Sequence, residues 1–73
     1  LSPQAVAAQF GRNLVEARGW EGLSQKQLAR RISMSQTDVA RWERGERLPR
    51  LDYVVNLADA VGVQVRDLLY GIE

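Results

Sequence analysis

Residues 24–45, SQKQLARRISMSQTDVARWERG, read as two short helices joined by a tight turn. Ser24 supplies a capping hydroxyl, and Gln27 stands three residues on, the spacing of a capping box. Leu28, Ala29 and Ile32 then fall on one face of the first of these helices. Ser33–Met34 is only long enough for a turn. Ser35 caps the next helix, with Asp38 near its positive end, and Gly45 closes it as a left-handed cap.

At ~100° per residue, the helix after Ser35 sorts into two faces. With Gln36 at zero, Ala40, Arg44, Thr37 and Arg41 lie at about 40°, 80°, 100° and 140°. Val39 and Trp42 lie on the far side, at about 300° and 240°. The apolar face anchors the helix, and Trp42 reads as core. The other face presents Gln36, Thr37 and Arg41 around a short Ala40. Glutamine matches the N6 and N7 of adenine, arginine matches O6 and N7 of guanine, and threonine offers a hydroxyl and a methyl. The same residue types are also ordinary on a solvated helix.

The segments on either side extend the helical pattern. Ser2–Pro3 starts a first helix, with Val6, Phe10, Leu14 and Ala17 as its apolar stripe. Gly19 and Gly22 are expected to bracket a loop holding Trp20 and Glu21. Trp20 either folds back on the first helix or contacts a second subunit or another protein. After a loop through Pro49, a fourth helix is expected from about Leu51, with Leu51, Val54, Val55, Ala58 and Val61 inward, stopped by Gly62. A last short helix is expected near Val65–Tyr70. Leu68, Leu69, Tyr70 and Ile72 are more apolar than a solvated tail needs and form a candidate dimer surface. No strand alternation or internal repeat is present, so the reading is all-α, five short helices around one core.

Charge is segregated along the chain. Residues 24–50 carry seven basic side chains against three acidic, whereas the remainder carries three basic against six acidic. The basic segment coincides with the helix pair, as for a polyanionic partner, although a solvated basic face would look the same. Gln25 stands at the N-terminus of the second helix, where free N–H groups favour phosphate. Arg44, Arg47 and Arg50 follow the third helix and are placed to clamp a phosphate backbone.

Other chemistries lack their residues. The chain of 73 residues has no histidine and no cysteine. Disulfides, thiolate metal sites and histidine general bases are therefore out of reach, and Ser24, Ser33 and Ser35 have no activating partner. No enzyme, metal, cofactor or small-molecule ligand is implied. No apolar run approaches the ~20 residues that cross a bilayer, and no export signal is recognisable. Residues 1–73 are expected to form one domain with its helix-turn-helix at 24–45. A start at Leu1 fits a trimmed product or a piece of a longer chain.

LSQKQLARRISMSQTDVARWERGERLP, followed by LDYVVNLADAVGVQVRDLL, resembles the phage-repressor/Cro-like (XRE-type) helix-turn-helix domain. The likeness runs from about Phe10 to Leu69, including the buried set Leu28, Ala29, Ile32, Met34, Val39 and Trp42 and the W-E-R-G…P ending. It implies a compact lambda-repressor-like five-helix bundle and a sequence-specific regulator of transcription that binds double-stranded DNA. The third helix, about 35–44, would enter the major groove with Gln36, Thr37 and Arg41 on bases. Gln25 and Ser35 would approach phosphates, Arg44 and Arg47 would follow the backbone, and Arg50 would lean toward the minor groove. Arg18 and Glu43 occupy positions that form an internal ion pair in the family. The resemblance further implies a homodimer on a near-palindromic site in the cytoplasm, at the nucleoid. The alternative is a protein-interaction module, or an antitoxin DNA-binding domain, on the same fold. Ser33 departs from the usual glycine of the turn, and Asp38 would repel phosphate if it faced the duplex.

Overall fold

A computed structural model describes residues 1–73, folded as α1 (Pro3–Glu21), α2 (Gln25–Arg31), α3 (Gln36–Glu43), α4 (Leu51–Ala60) and α5 (Val65–Leu68). The helix starts coincide with their caps. Ser2 Oγ accepts the Ala5 N–H at 3.1 Å. Ser24 Oγ accepts the Gln27 N–H while Gln27 Oε1 accepts the Ser24 N–H, closing the capping box. Ser35 Oγ accepts the Asp38 N–H at 3.1 Å. Each bond satisfies a donor that the first helical turn would otherwise leave unpaired.

α1 departs from expectation at its end. It runs through Gly19 and Trp20 to Glu21, and the left-handed residue that stops it is Gly22, at φ 74°. The Leu23 N–H reaches back to the Arg18 carbonyl at 3.1 Å and seals the terminus. A mid-helix glycine costs only ~1 kcal/mol, too little to end a helix anchored by Phe10, Leu14 and Ala17. Trp20 therefore stands on the last turn of α1, 84% exposed, instead of folding back.

The core joins Phe10 and Leu14 of α1, Leu28 of α2, Val39 and Trp42 of α3, Leu57 of α4 and Leu68 of α5. Gly11 lets α1 close on α3: a Cβ there would stand 2.5 Å from the Glu43 carbonyl oxygen and 2.7 Å from that of Trp42. Asn13 is buried although polar. Its amide donates to the Leu68 and Tyr70 carbonyls, both at 2.8 Å, and its Oδ1 accepts from Gln9. It holds the C-terminal segment onto α1.

Two expectations about packing change. On α4 the inward face is Val54, Leu57 and Ala58, continued by Val61, whereas Leu51 is 73% and Val55 49% exposed. Leu57 turns the stripe: Val55 lies about 100° round the helix from Val54, and Leu51 sits in the first turn, beyond the core. At the C-terminus α5 ends at Leu68, which is fully buried, and Ile72 packs on the core. The apolar C-terminal residues thus do not form one exposed patch; Leu69 and Tyr70 alone remain outside.

Candidate nucleic-acid interface

The turn between α2 and α3 fixes the presentation of α3. Ser33 takes φ 57°, the left-handed conformation that an L side chain resists. The Met34 N–H closes the turn on the Ala29 carbonyl at 2.9 Å. α3 then buries Val39 and Trp42 and leaves Gln36, Thr37 and Arg41 exposed on one side. Trp42 is further braced by Tyr53, with ring centroids 6.0 Å apart. A helix held this firmly loses little freedom when its outer side chains engage a ligand.

Glu43, on the inner flank of α3, is the centre of a bonded chain. Its carboxylate takes Arg18 Nε at 2.6 Å and Arg18 Nη2 at 3.0 Å, and Arg18 Nη1 donates to the Leu23 carbonyl. The Arg18 guanidinium is held above its ordinary pKa, chiefly by the hydrogen bond to Glu43. Gln25 Nε2 also donates to Glu43, at 2.8 Å. Gln25 Oε1 then faces Gln36 Nε2 across 3.5 Å, a long contact. Arg18, Glu43, Gln25 and Gln36 thus form one line from the buried ion pair to the exposed tip of α3.

The remaining residues singled out from sequence lie at the edge of this face. Ser35 uses its hydroxyl inside the molecule, accepting the Asp38 N–H and donating to Asp38 Oδ2 at 2.8 Å. Asp38 is therefore occupied by its own cap. Arg44 pairs with Glu46. Arg50 pairs with Asp52 at 2.9 Å and lies 4.9 Å over the Tyr53 ring. These hydrogen bonds hold both arginines above, and Glu46 and Asp52 below, their ordinary pKa values. Arg47 is exposed and forms no salt bridge. Arg31, which nothing in the sequence set apart from its neighbours, donates to the Ala60 carbonyl at the end of α4 at 2.9 Å. Gly11 and Asn13 were likewise unmarked in sequence. A glycine inside the apolar stripe of the first helix was the available signal for close helix approach.

A buried-backed helix that follows a short capped helix across a left-handed turn defines the helix-turn-helix class. Residues 9–69 match the family model described as "Helix-turn-helix domain". The chain therefore belongs to the helix-turn-helix family, the DNA-binding domains of transcriptional regulators. The fold superposes on the crystal structure of the restriction-modification controller protein C.AhdI from Aeromonas hydrophila with a TM-score of 0.87. That match has 34% identity and covers 93% of this chain and 99% of that one. Multiprotein-bridging factor 1 of Eremothecium gossypii is 30% identical over 66 residues, 90% of this chain and 43% of that protein. The HTH-type transcriptional activator BcrR of Enterococcus faecalis is 29% identical over 65 residues, 89% of this chain and 32% of that protein. The chain thus spans less than half the length of these curated relatives. The family is a recognition fold, not an enzyme fold. No helix is long and apolar enough to cross a membrane.

Proposed function

We propose that residues 1–73 form one unit that reads a specific double-stranded DNA site for a transcriptional regulator, with α3 in the major groove. The observation that carries this reading is the division of α3, Val39 and Trp42 locked in the core while Gln36, Thr37 and Arg41 face outward. In this reading those three side chains meet base edges. Gln25 and the start of α3 at Ser35 approach phosphates through backbone N–H groups, since their side chains are engaged internally. Arg44, Arg47 and Arg50 flank the backbone, and Arg18 with Glu43 holds α1 to α3. Such a regulator works at the cytoplasmic nucleoid.

The protein binds its site as a two-fold dimer. Leu48, Leu51 and Val55 form an exposed apolar strip on the loop and helix that follow α3, with Leu48 44% exposed. Self-complementary pairing of this strip would relate two copies by a two-fold axis, the symmetry of a near-palindromic site.

Selection of bound sequences from a random DNA library, followed by titration of the winner, tests both statements. The expected result is a motif of inverted half-sites about one helical turn apart. A single half-site removes the dimer, and the absence of any enriched motif removes sequence reading.

A further inference from the structure

Away from α2 and α3, the molecule has a second hollow whose charged lining is acidic. α1 and the C-terminal segment enclose an open cleft of about 430 Å³ that shares no residue with the helix pair. Glu16 and Trp20, one turn apart on α1, line one side; Asp67 and Tyr70 line the other, with Val63 between the helices. Its volume falls within the ~300–1,000 Å³ common for ligand clefts. Trp20 is 84% and Tyr70 77% exposed. Tryptophan is on average a well-buried residue, and it is enriched where proteins bind one another.

The charge of the cleft selects its occupant. Neither Glu16 nor Asp67 forms an ion pair, and no lysine or arginine lines the cleft. Asp67 uses only Oδ2 internally, accepting the Gln64 N–H at 2.9 Å, which leaves Oδ1 open. Two aromatic rings beside two unpaired carboxylates repel nucleic acid and attract a flat cation. Two-fold pairing of copies through this face would set like charges together.

We propose that this cleft receives an arginine side chain from a protein partner. The guanidinium stacks on the Trp20 or Tyr70 ring and donates to the Glu16 and Asp67 carboxylates. Arginine suits the site better than lysine because its planar fork serves the ring and a carboxylate at once. The partner and DNA engage separate residues, so the domain holds both together.

The test tracks the indole N–H signals of the two tryptophans by NMR on the isotope-labelled protein. The ligands titrated are a hexa-arginine peptide and a hexalysine peptide. Trp42, 4% exposed, reports that the fold is intact. The expected result is a saturable shift of the Trp20 signal, stronger with arginine than with lysine, and a stationary Trp42 signal. Glu16→Gln is expected to weaken the arginine peptide by about two- to fivefold. Tyr70→Ala is expected to weaken it comparably with the Trp42 signal unchanged. No Trp20 shift at millimolar peptide overturns the proposal. Equal response to lysine with no effect of Glu16→Gln also overturns it, as non-specific charge attraction. A Trp20 signal that moves on dilution of the protein alone overturns it in favour of a second copy. None of these readings depends on DNA, so the proposal fails or stands apart from the DNA-reading function.

Discussion

Gln25 donates its side-chain amide to Glu43 Oε1 at 2.8 Å, the oxygen that also receives Arg18 Nη2. With its N–H turned inward, Gln25 is left with an oxygen directed at Gln36. The carboxylate is buried and the arginine partly so, with side chains 4% and 19% exposed. Removing one partner strands the other charge. Glu43→Gln is expected to destabilise the fold by about 2 kcal/mol, since Arg18 keeps the Leu23 carbonyl. Gln25→Ala should cost ~1 kcal/mol or less, since it removes a half-buried hydrogen bond and strands no charge. Urea unfolding of the two variants checks the contrast.

On the selected DNA site, Gln36→Ala and Arg41→Ala are each expected to cost ~1–3 kcal/mol of binding. Random DNA should show a smaller loss. Equal losses on both would mean that these side chains do not read bases.

Leu51→Glu and Val55→Lys are expected to leave the monomer folded, because both positions are exposed. Each should abolish dimerisation and convert two-half-site binding to single-half-site binding. Sedimentation equilibrium and a gel-shift titration read the two effects. A dimer that survives both changes must use another face.

Exchanges at Ser33 and Gly11 are expected to shift stability in opposite directions. Ser33→Gly relieves a left-handed serine and should stabilise by ~1 kcal/mol. Gly11→Ala should destabilise by about 1–3 kcal/mol despite the better helix propensity of alanine. Its methyl would meet the Glu43 and Trp42 carbonyls, not open space. Thermal melts of both variants suffice.

The Arg44–Glu46 pair competes with DNA for its arginine, so Glu46→Gln should raise DNA affinity about two- to threefold. The pairing holds the Glu46 carboxyl below its ordinary value, as it does for Asp52. A lowered folded-state pKa gives stability that is present above the ordinary carboxylate pKa and is lost as pH falls through the lowered one. The gap between Glu46→Gln and the parent should therefore be constant at neutral pH and close only in acid. Binding titrations across that range check it.

The helix starts were legible in the sequence because they depend on neighbours within four residues: Ser2, Ser24 and Ser35 each cap the helix next in the chain. Gly45 and the orientation of α3 were legible for the same reason. Trp20 reads as a loop residue because Gly19 and Gly22 look equivalent in sequence, while of the two only Gly22 takes the left-handed conformation. Leu51 and Val55 read as inward because helical spacing gives relative angles but not the direction of the core. Asn13 and Arg31 were invisible because their acceptors, the carbonyls of Leu68, Tyr70 and Ala60, are set by the tertiary fold. The same holds for the arginine pairs at the edge of α3, which alter what the basic segment has to offer.

Of the seven cations in residues 24–50, Arg31 is engaged by a helix-end carbonyl, and Arg44 and Arg50 by carboxylates. Lys26, Arg30, Arg41 and Arg47 are left without such partners. A duplex sheds condensed counterions as its phosphates are neutralised, and log K falls with log salt by about 0.9 per phosphate. Arg31 keeps its charge on that carbonyl, whereas Arg44 and Arg50 reach phosphate only by leaving Glu46 and Asp52, so the salt slope of DNA binding is expected to be shallower than seven cations would give. A rise in salt is therefore expected to weaken its DNA binding by a smaller factor than it would for a domain whose whole basic surface faced the duplex.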